Sequence, residues 1–114
     1  MQIIKRGDIF FARLPESEGS EQKGTRPVIV VQNDYGNSYG PTLIVIPITS
    51  IKKKYLPTHI LIGTDYGIEK KSTALAEQIT TIDKSRLVRY VGSVDKSKMD
   101  EIDIALKISL DLEK

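Results

Sequence analysis

Two short apolar runs limit what this chain can fold into. Val28-Ile29-Val30-Val31-Gln32 and Leu43-Ile44-Val45-Ile46 are continuously apolar and rich in β-branched residues. Such runs predict strands buried on both faces. The longest apolar stretch, Leu43–Ile48, falls far below the roughly 20 residues a membrane helix needs. Further short runs follow the same rule: Ile9–Ala12, His59–Ile62, Thr73–Ala76 and Leu87–Val91. Breakers separate them at Gly7-Asp8, Asn33-Asp34, Gly36-Asn37, Gly40-Pro41, Gly63-Thr64-Asp65 and Tyr66-Gly67. Many short strands between turn signals favour a sandwich or barrel over a βαβ sheet.

The final segment has a different period. Met99, Ile102, Ala105, Leu106 and Leu110 recur at helical spacing on one face. Ser97 is the expected N-cap, with Asp100 three residues on as a capping-box variant. Asp100, Glu101 and Asp103 crowd the first turns, where a helix dipole favours acids. Ile104, Ile108 and Leu112 form a second apolar stripe, to be covered by another element of the chain or by a partner subunit. The expected architecture is mainly β with α: a small antiparallel barrel closed by a C-terminal helix. With 114 residues, one domain over 1–114 accounts for the chain, and a core this small makes oligomerisation reasonable.

Composition removes several function classes. Cysteine is absent, which excludes disulfides, zinc fingers and thiol catalysis. The opening Met1–Asp8 has no apolar signal core, so a cytoplasmic protein without membrane partners is expected. Lys and Arg number 17 against 15 Asp and Glu, so any basic surface must come from local clustering. His59 is the only histidine, which leaves no histidine pair for acid–base work and no multi-histidine metal site. It reads as a partly buried residue at a strand start after Pro57. Gly19-Ser20-Glu21-Gln22-Lys23-Gly24-Thr25-Arg26 misses a P-loop, because Thr25 stands where the phosphate-binding Lys belongs and a strand follows it. No metal and no cofactor are expected.

Two loop-to-strand junctions remain. The glycine-bounded segment Gly19–Gly24 delivers Arg26 to the mouth of an apolar strand, and Pro27 fixes the backbone there. A guanidinium fork suits phosphate oxygens, although spacing alone favours an ordinary surface cation paired with a nearby Glu. The second junction, Pro47-Ile48-Thr49-Ser50, precedes Lys52-Lys53-Lys54-Tyr55-Leu56. Lysines beside an aromatic suit single-stranded nucleic acid; they also suit a solvated loop that guards a sheet edge.

Together these segments carry a resemblance. Arg6-Gly7-Asp8-Ile9, Gly19 through Asp34, Pro47-Ile48-Thr49, Leu56-Pro57-Thr58-His59 and Glu77 through Leu87 occur in the order seen in the MazF/PemK family. Ala105–Leu110 is similar to that family's last helix. The resemblance runs over essentially the whole chain and is strongest to the family's members from Gram-positive bacteria. It implies an SH3-like barrel of the CcdB/PemK type, a homodimer, and a toxin of a type II toxin–antitoxin pair. The implied activity is sequence-specific, metal-independent cleavage of single-stranded mRNA by attack of the ribose 2′-hydroxyl, leaving 2′,3′-cyclic phosphate and 5′-hydroxyl ends.

The family's catalytic Arg falls on Arg26 and its catalytic Thr on Thr49. RNA contacts are expected from Ser20, Glu21, Gln22, Ser50, Lys53, Leu56, His59, Glu77 and Gln78. Leu56 and His59 are expected to pack on splayed bases. A MazE-like antitoxin peptide is the implied protein partner. The alternative is a non-catalytic SH3-like or CcdB-like toxin that binds a protein such as gyrase, an action that needs neither Arg26 nor Thr49.

Overall fold

The computed structural model describes residues 3–51 and 55–112. Strand β1 (Asp8–Leu14) pairs antiparallel with β2 (Gly24–Val30) on one side and β7 (Leu87–Ser93) on the other. Strand β2 pairs with β3 (Thr42–Thr49), the longest strand. The other edge of β3 is divided between two partners. Thr42–Val45 pair with β6 (Thr80–Asp83), and Ile48–Thr49 pair with β5 (Ser72–Leu75), which leads on to β4 (His59–Gly63). The sheet has seven antiparallel strands: six in the path β4-β5-β3-β2-β1-β7, whose two ends are unpaired among the described residues, and β6, which joins it at β3. The barrel is open where the sequence predicted closure.

The continuous apolar runs explain this layering. Successive residues of a strand face opposite sides, so a run without polar gaps needs cover on both. Ile9, Ile29, Ile46 and Ile48 enter one core with Ile102 and Ala105 of the last helix, α2 (Lys96–Leu110). Phe10, Ala12, Val28, Val30 and Val45 enter a second core, with Leu43 and Ile82.

Three local expectations are corrected. Asp95, not Ser97, caps α2: its Oδ1 accepts from the Lys98 N–H at 2.8 Å, and an Asp there serves as well as a Ser. The acids of α2 answer side chains instead of the dipole. Asp100 pairs with Lys96, Glu101 with Lys98, and Asp103 with Arg6 at 2.7 Å. Leu110 lies in the last turn and is exposed with the second stripe, while Ile102 and Ala105 carry the packing.

Two elements hide from apolar periodicity. Thr80-Thr81-Ile82-Asp83 forms a strand with one buried apolar side chain. Asp34–Tyr39, a run of apparent breakers, forms a short helix, α1, capped by Asn33.

Candidate active site

The β2–β3 register places the two candidate catalytic residues. Val28 faces Pro47 and Ile29 faces Ile46. Arg26 lies two residues before Val28 and Thr49 two residues after Pro47, so both stand just past the same end of the paired segment. Two positions distant in sequence therefore converge at one end of the ladder. The Arg26 Nε–H donates to the Lys23 carbonyl at 2.7 Å, which fixes the guanidinium while its terminal nitrogens have no partner among the described residues. Thr49 is 1% exposed. Its Oγ1 accepts from the Ile51 N–H at 3.1 Å, and its own hydroxyl proton remains available to donate.

A short 3₁₀ turn, Ala76–Gln78, holds two loops at this end of the molecule. Gln78 holds the first. Its Oε1 accepts from the Gln22 N–H at 2.8 Å, and its Nε2 donates to the Ser20 carbonyl at 3.2 Å. Ser17 adds a bond from its hydroxyl to the Glu21 carbonyl. Glu77 holds the second loop. Its carboxylate accepts from the Thr58 hydroxyl at 2.7 Å and lies 3.0 Å from His59 Nε2. The Leu56 N–H donates to His59 Nδ1 at 3.2 Å. That bond leaves the ring proton on Nε2, where it is donated to Glu77. Burial works against the Glu77 carboxylate, but the Thr58 hydroxyl, its own backbone N–H and His59 outweigh it and hold the carboxyl below its ordinary value.

The structure thus brings Ser20, Gln22 and Gln78 together, and Leu56, His59 and Glu77 together. His59 has a side chain only 3% exposed and both ring nitrogens engaged. It supports the backbone of Leu56 instead of offering a face to a base. Leu56 and Glu21 are exposed, and Ser50 is exposed beside Arg26 along one cleft. Lys53, within the Lys52–Lys54 run, lies outside the described residues. One further detail escaped the sequence: Gln22 Oε1 is buried with no hydrogen-bond partner among the described residues. No sequence pattern marks an orphaned acceptor, because orphaning depends on how the loop folds over it.

Comparison with known proteins identifies the family. Residues 5–110 match the family model described as PemK-like, MazF-like toxin of type II toxin-antitoxin system. The chain is 53% identical to Endoribonuclease EndoA of Bacillus subtilis, over 96% of this chain and 97% of that protein. It is 49% identical to Endoribonuclease MazF of Staphylococcus epidermidis, over 96% and 93%. In fold it is similar to the crystal structure of MazF from Deinococcus radiodurans, with a TM-score of 0.86 at 21% identity, over 98% of this chain and 100% of that one. With a family match over nearly its full length and two relatives near half identity, this chain belongs to the PemK-like, MazF-like toxins of type II toxin–antitoxin systems.

Proposed function

We propose that this toxin is an endoribonuclease that cuts single-stranded mRNA at a short specific sequence, without a metal ion. The observation that carries the reading is the β2–β3 register, which brings Arg26 and Thr49 to the same end of the two strands. The ribose 2′-oxygen attacks the adjacent phosphorus, and the bond from phosphorus to the 5′-oxygen breaks. The 2′ proton leaves and the 5′-oxygen takes one up, giving a 2′,3′-cyclic phosphate and a 5′-hydroxyl. The nucleophile belongs to the substrate, so the protein's work is alignment and charge dispersal. Arg26, tethered through Nε, turns its remaining N–H groups toward the phosphorane oxygens. Thr49 donates its hydroxyl proton to a phosphate oxygen while its Oγ1 keeps the Ile51 N–H.

Sequence selection falls to Ser20, Glu21, Gln22 and Leu56, the groups that the 3₁₀ turn holds at the same end. Edge reading of this kind requires unstacked bases, which duplex RNA does not offer.

The toxin acts as a homodimer. Ile104 and Ile108 on α2, and Leu112 just past its end, are 61%, 52% and 56% exposed, an apolar surface suited to a second copy. A MazE-like antitoxin inhibits it by laying an acidic segment across the same cationic end. Among the solved structures similar in fold is a mycobacterial endoribonuclease in complex with its cognate antitoxin, with a TM-score of 0.79. The site of action is the cytoplasm, where mRNA lies, and no helix among the described residues is long and apolar enough to cross a membrane.

The test is purified protein with labelled single-stranded RNA in EDTA, followed by analysis of the product ends. Cyclic phosphate and 5′-hydroxyl ends are expected. Products with 5′-phosphates, or no cleavage in EDTA with cleavage restored by a divalent ion, would overturn the reading.

A further inference from the structure

Beyond the paired loops lies a second concave surface with a different character. Arg89, Phe11 and Pro27 stand in one row across β7, β1 and β2. The Arg89 Cζ sits 4.4 Å from the centroid of the Phe11 ring, a cation stacked on an aromatic face. This row forms the floor of a cleft of about 350 Å³, within the range of small-ligand pockets.

The turn Gly67–Lys70 makes the opposite wall. Its position is fixed by backbone, since a Cβ on Gly67 would meet the Val91 carbonyl oxygen at 2.5 Å, and one on Gly92 would collide with the Tyr66 carbonyl. Arg26 and Ser50 lie on the rim. Three cations, Arg26, Lys70 and Arg89, therefore surround the cleft against one acid, Glu69. None of the three cations forms an ion pair among the described residues.

Unpaired cations around a mixed polar and apolar hollow with one aromatic ring fit a nucleotide: phosphate at the cations, and base or sugar against Phe11, Pro27 and Ile48. We propose that this cleft is an auxiliary RNA subsite. It holds a nucleotide that flanks the cut, and the stacked Arg89 is its phosphate anchor. The inference rests on the endoribonuclease reading, because Arg26 is shared. A strand whose scissile phosphate lies against Arg26 must pass its neighbouring phosphates beside the same rim. An acidic peptide would use the cations but has less use for the Phe11 floor.

The experiment uses a single-stranded RNA whose cut site has been mapped with the native protein, made uncleavable by a 2′-deoxy substitution at that site. Its affinity is measured with long flanks and trimmed to the site, across a salt series. Arg89→Ala is expected to weaken the long RNA by about 5-fold and to lower the slope of log affinity against log salt by about 0.7. The trimmed RNA should lose less, so the advantage of length shrinks. Arg89→Lys should keep the slope. Lys96→Ala removes a charge that does not line the cleft and should behave as native.

Equal affinity of native and Arg89→Ala protein for the long RNA would overturn the subsite. So would an equal loss in Lys96→Ala, which would reduce the effect to net charge. A loss confined to a synthetic acidic peptide of the antitoxin would assign the cleft to the protein partner and overturn it as well. A native protein that neither cuts nor binds RNA would overturn the endoribonuclease reading itself, a result distinct from an active native protein and an indifferent variant.

Discussion

The two ends of this molecule treat polar groups in opposite ways. At the end formed by the N-terminal segment, α1 and α2, buried and half-buried polar side chains are spent on structure. Arg6 donates from Nε to the Val31 carbonyl and from Nη2 to Asp103, both at 2.7 Å. Its backbone N–H reaches Asp34 at 2.7 Å. Asn37, 2% exposed, bonds to Gln32 and Asp34 through its side chain, and its carbonyl accepts from Lys84 Nζ at 2.6 Å. At the other end, among the described residues, Arg26, Lys70 and Arg89 are cations without ion-pair partners and Gln22 Oε1 has no hydrogen-bond partner. A saturated network holds one arrangement; an unsaturated one keeps its bonding capacity for a ligand. Both ends contain Arg and Gln, so residue type alone does not separate them. Their partners do.

The largest effect expected at the open end is on chemistry. Arg26→Ala should slow RNA cleavage by about 10²-fold or more while the protein stays folded. Thr49→Ala should do the same, with Thr49→Ser restoring much of the rate because the hydroxyl returns. Single-turnover kinetics in EDTA, with circular dichroism as the folding control, provides the check. Native-rate cleavage by either alanine variant would remove the comparison's functional half.

At the saturated end the same kind of change should cost stability. Asn37→Ala strands bonds of Gln32 and Asp34 and is expected to destabilise by about 2 kcal/mol. Arg6→Ala should cost about 1–3 kcal/mol. Urea unfolding measures both, and cleavage at low temperature should remain close to native. A loss of cleavage as large as that of Arg26→Ala, without unfolding, would erase the distinction between the two ends.

The sequence made the strands and the residues of the active end legible, but not this division of labour. Val28–Val31 and Leu43–Ile46 announce two-sided burial because nothing polar interrupts them. The strand at Thr80–Asp83 lacks that signal: its hydrogen bonds are to β3, and Ile82 alone enters the core. The helix at Asp34–Tyr39 is held by Asn33, by Asp34 at Arg6 and by buried Asn37, none of which has an apolar period. Family motifs point to Arg26 and Thr49, and the β2–β3 register brings both to one end of these strands. Those motifs made His59 a surface for bases, whereas the structure buries its ring and engages both nitrogens, with the Leu56 N–H and with Glu77. They also gave no sign of the Phe11–Arg89 stack, which exists only through pairing of β1 with β7.

Acid should affect both ends through carboxylates. Asp34 is held below its ordinary value chiefly by the Arg6 N–H, against a smaller opposing effect of burial. Glu77 is lowered as well, with its hydrogen bonds outweighing burial. A carboxyl lowered by folding contributes stability above its unfolded value, and that contribution is lost as pH falls through the folded one. Thermal unfolding followed from pH 7 downward should therefore show stability falling below the ordinary carboxylate range. Asp34→Asn should flatten that fall. An unchanged profile in this variant would mean the Arg6–Asp34 bond contributes nothing in solution.

The smallest effect expected is the most discriminating, because stability and function should move in opposite directions. Gln22 Oε1 is a buried acceptor without a donor among the described residues, and leaving such a group unmade costs about 1–3 kcal/mol. Its backbone N–H is separately secured by Gln78, so the side chain can be changed without releasing the loop. Gln22→Met keeps the length and removes the orphaned oxygen. Its stability should match the native protein or rise by up to about 1 kcal/mol, while affinity for single-stranded RNA should fall because an N–H donor of a base loses its acceptor. Paired measurements of urea unfolding and RNA binding decide the matter. Destabilisation like that of Asn37→Ala, with RNA affinity intact, would place Gln22 among the structural polar groups and break the contrast between the two ends where it is sharpest.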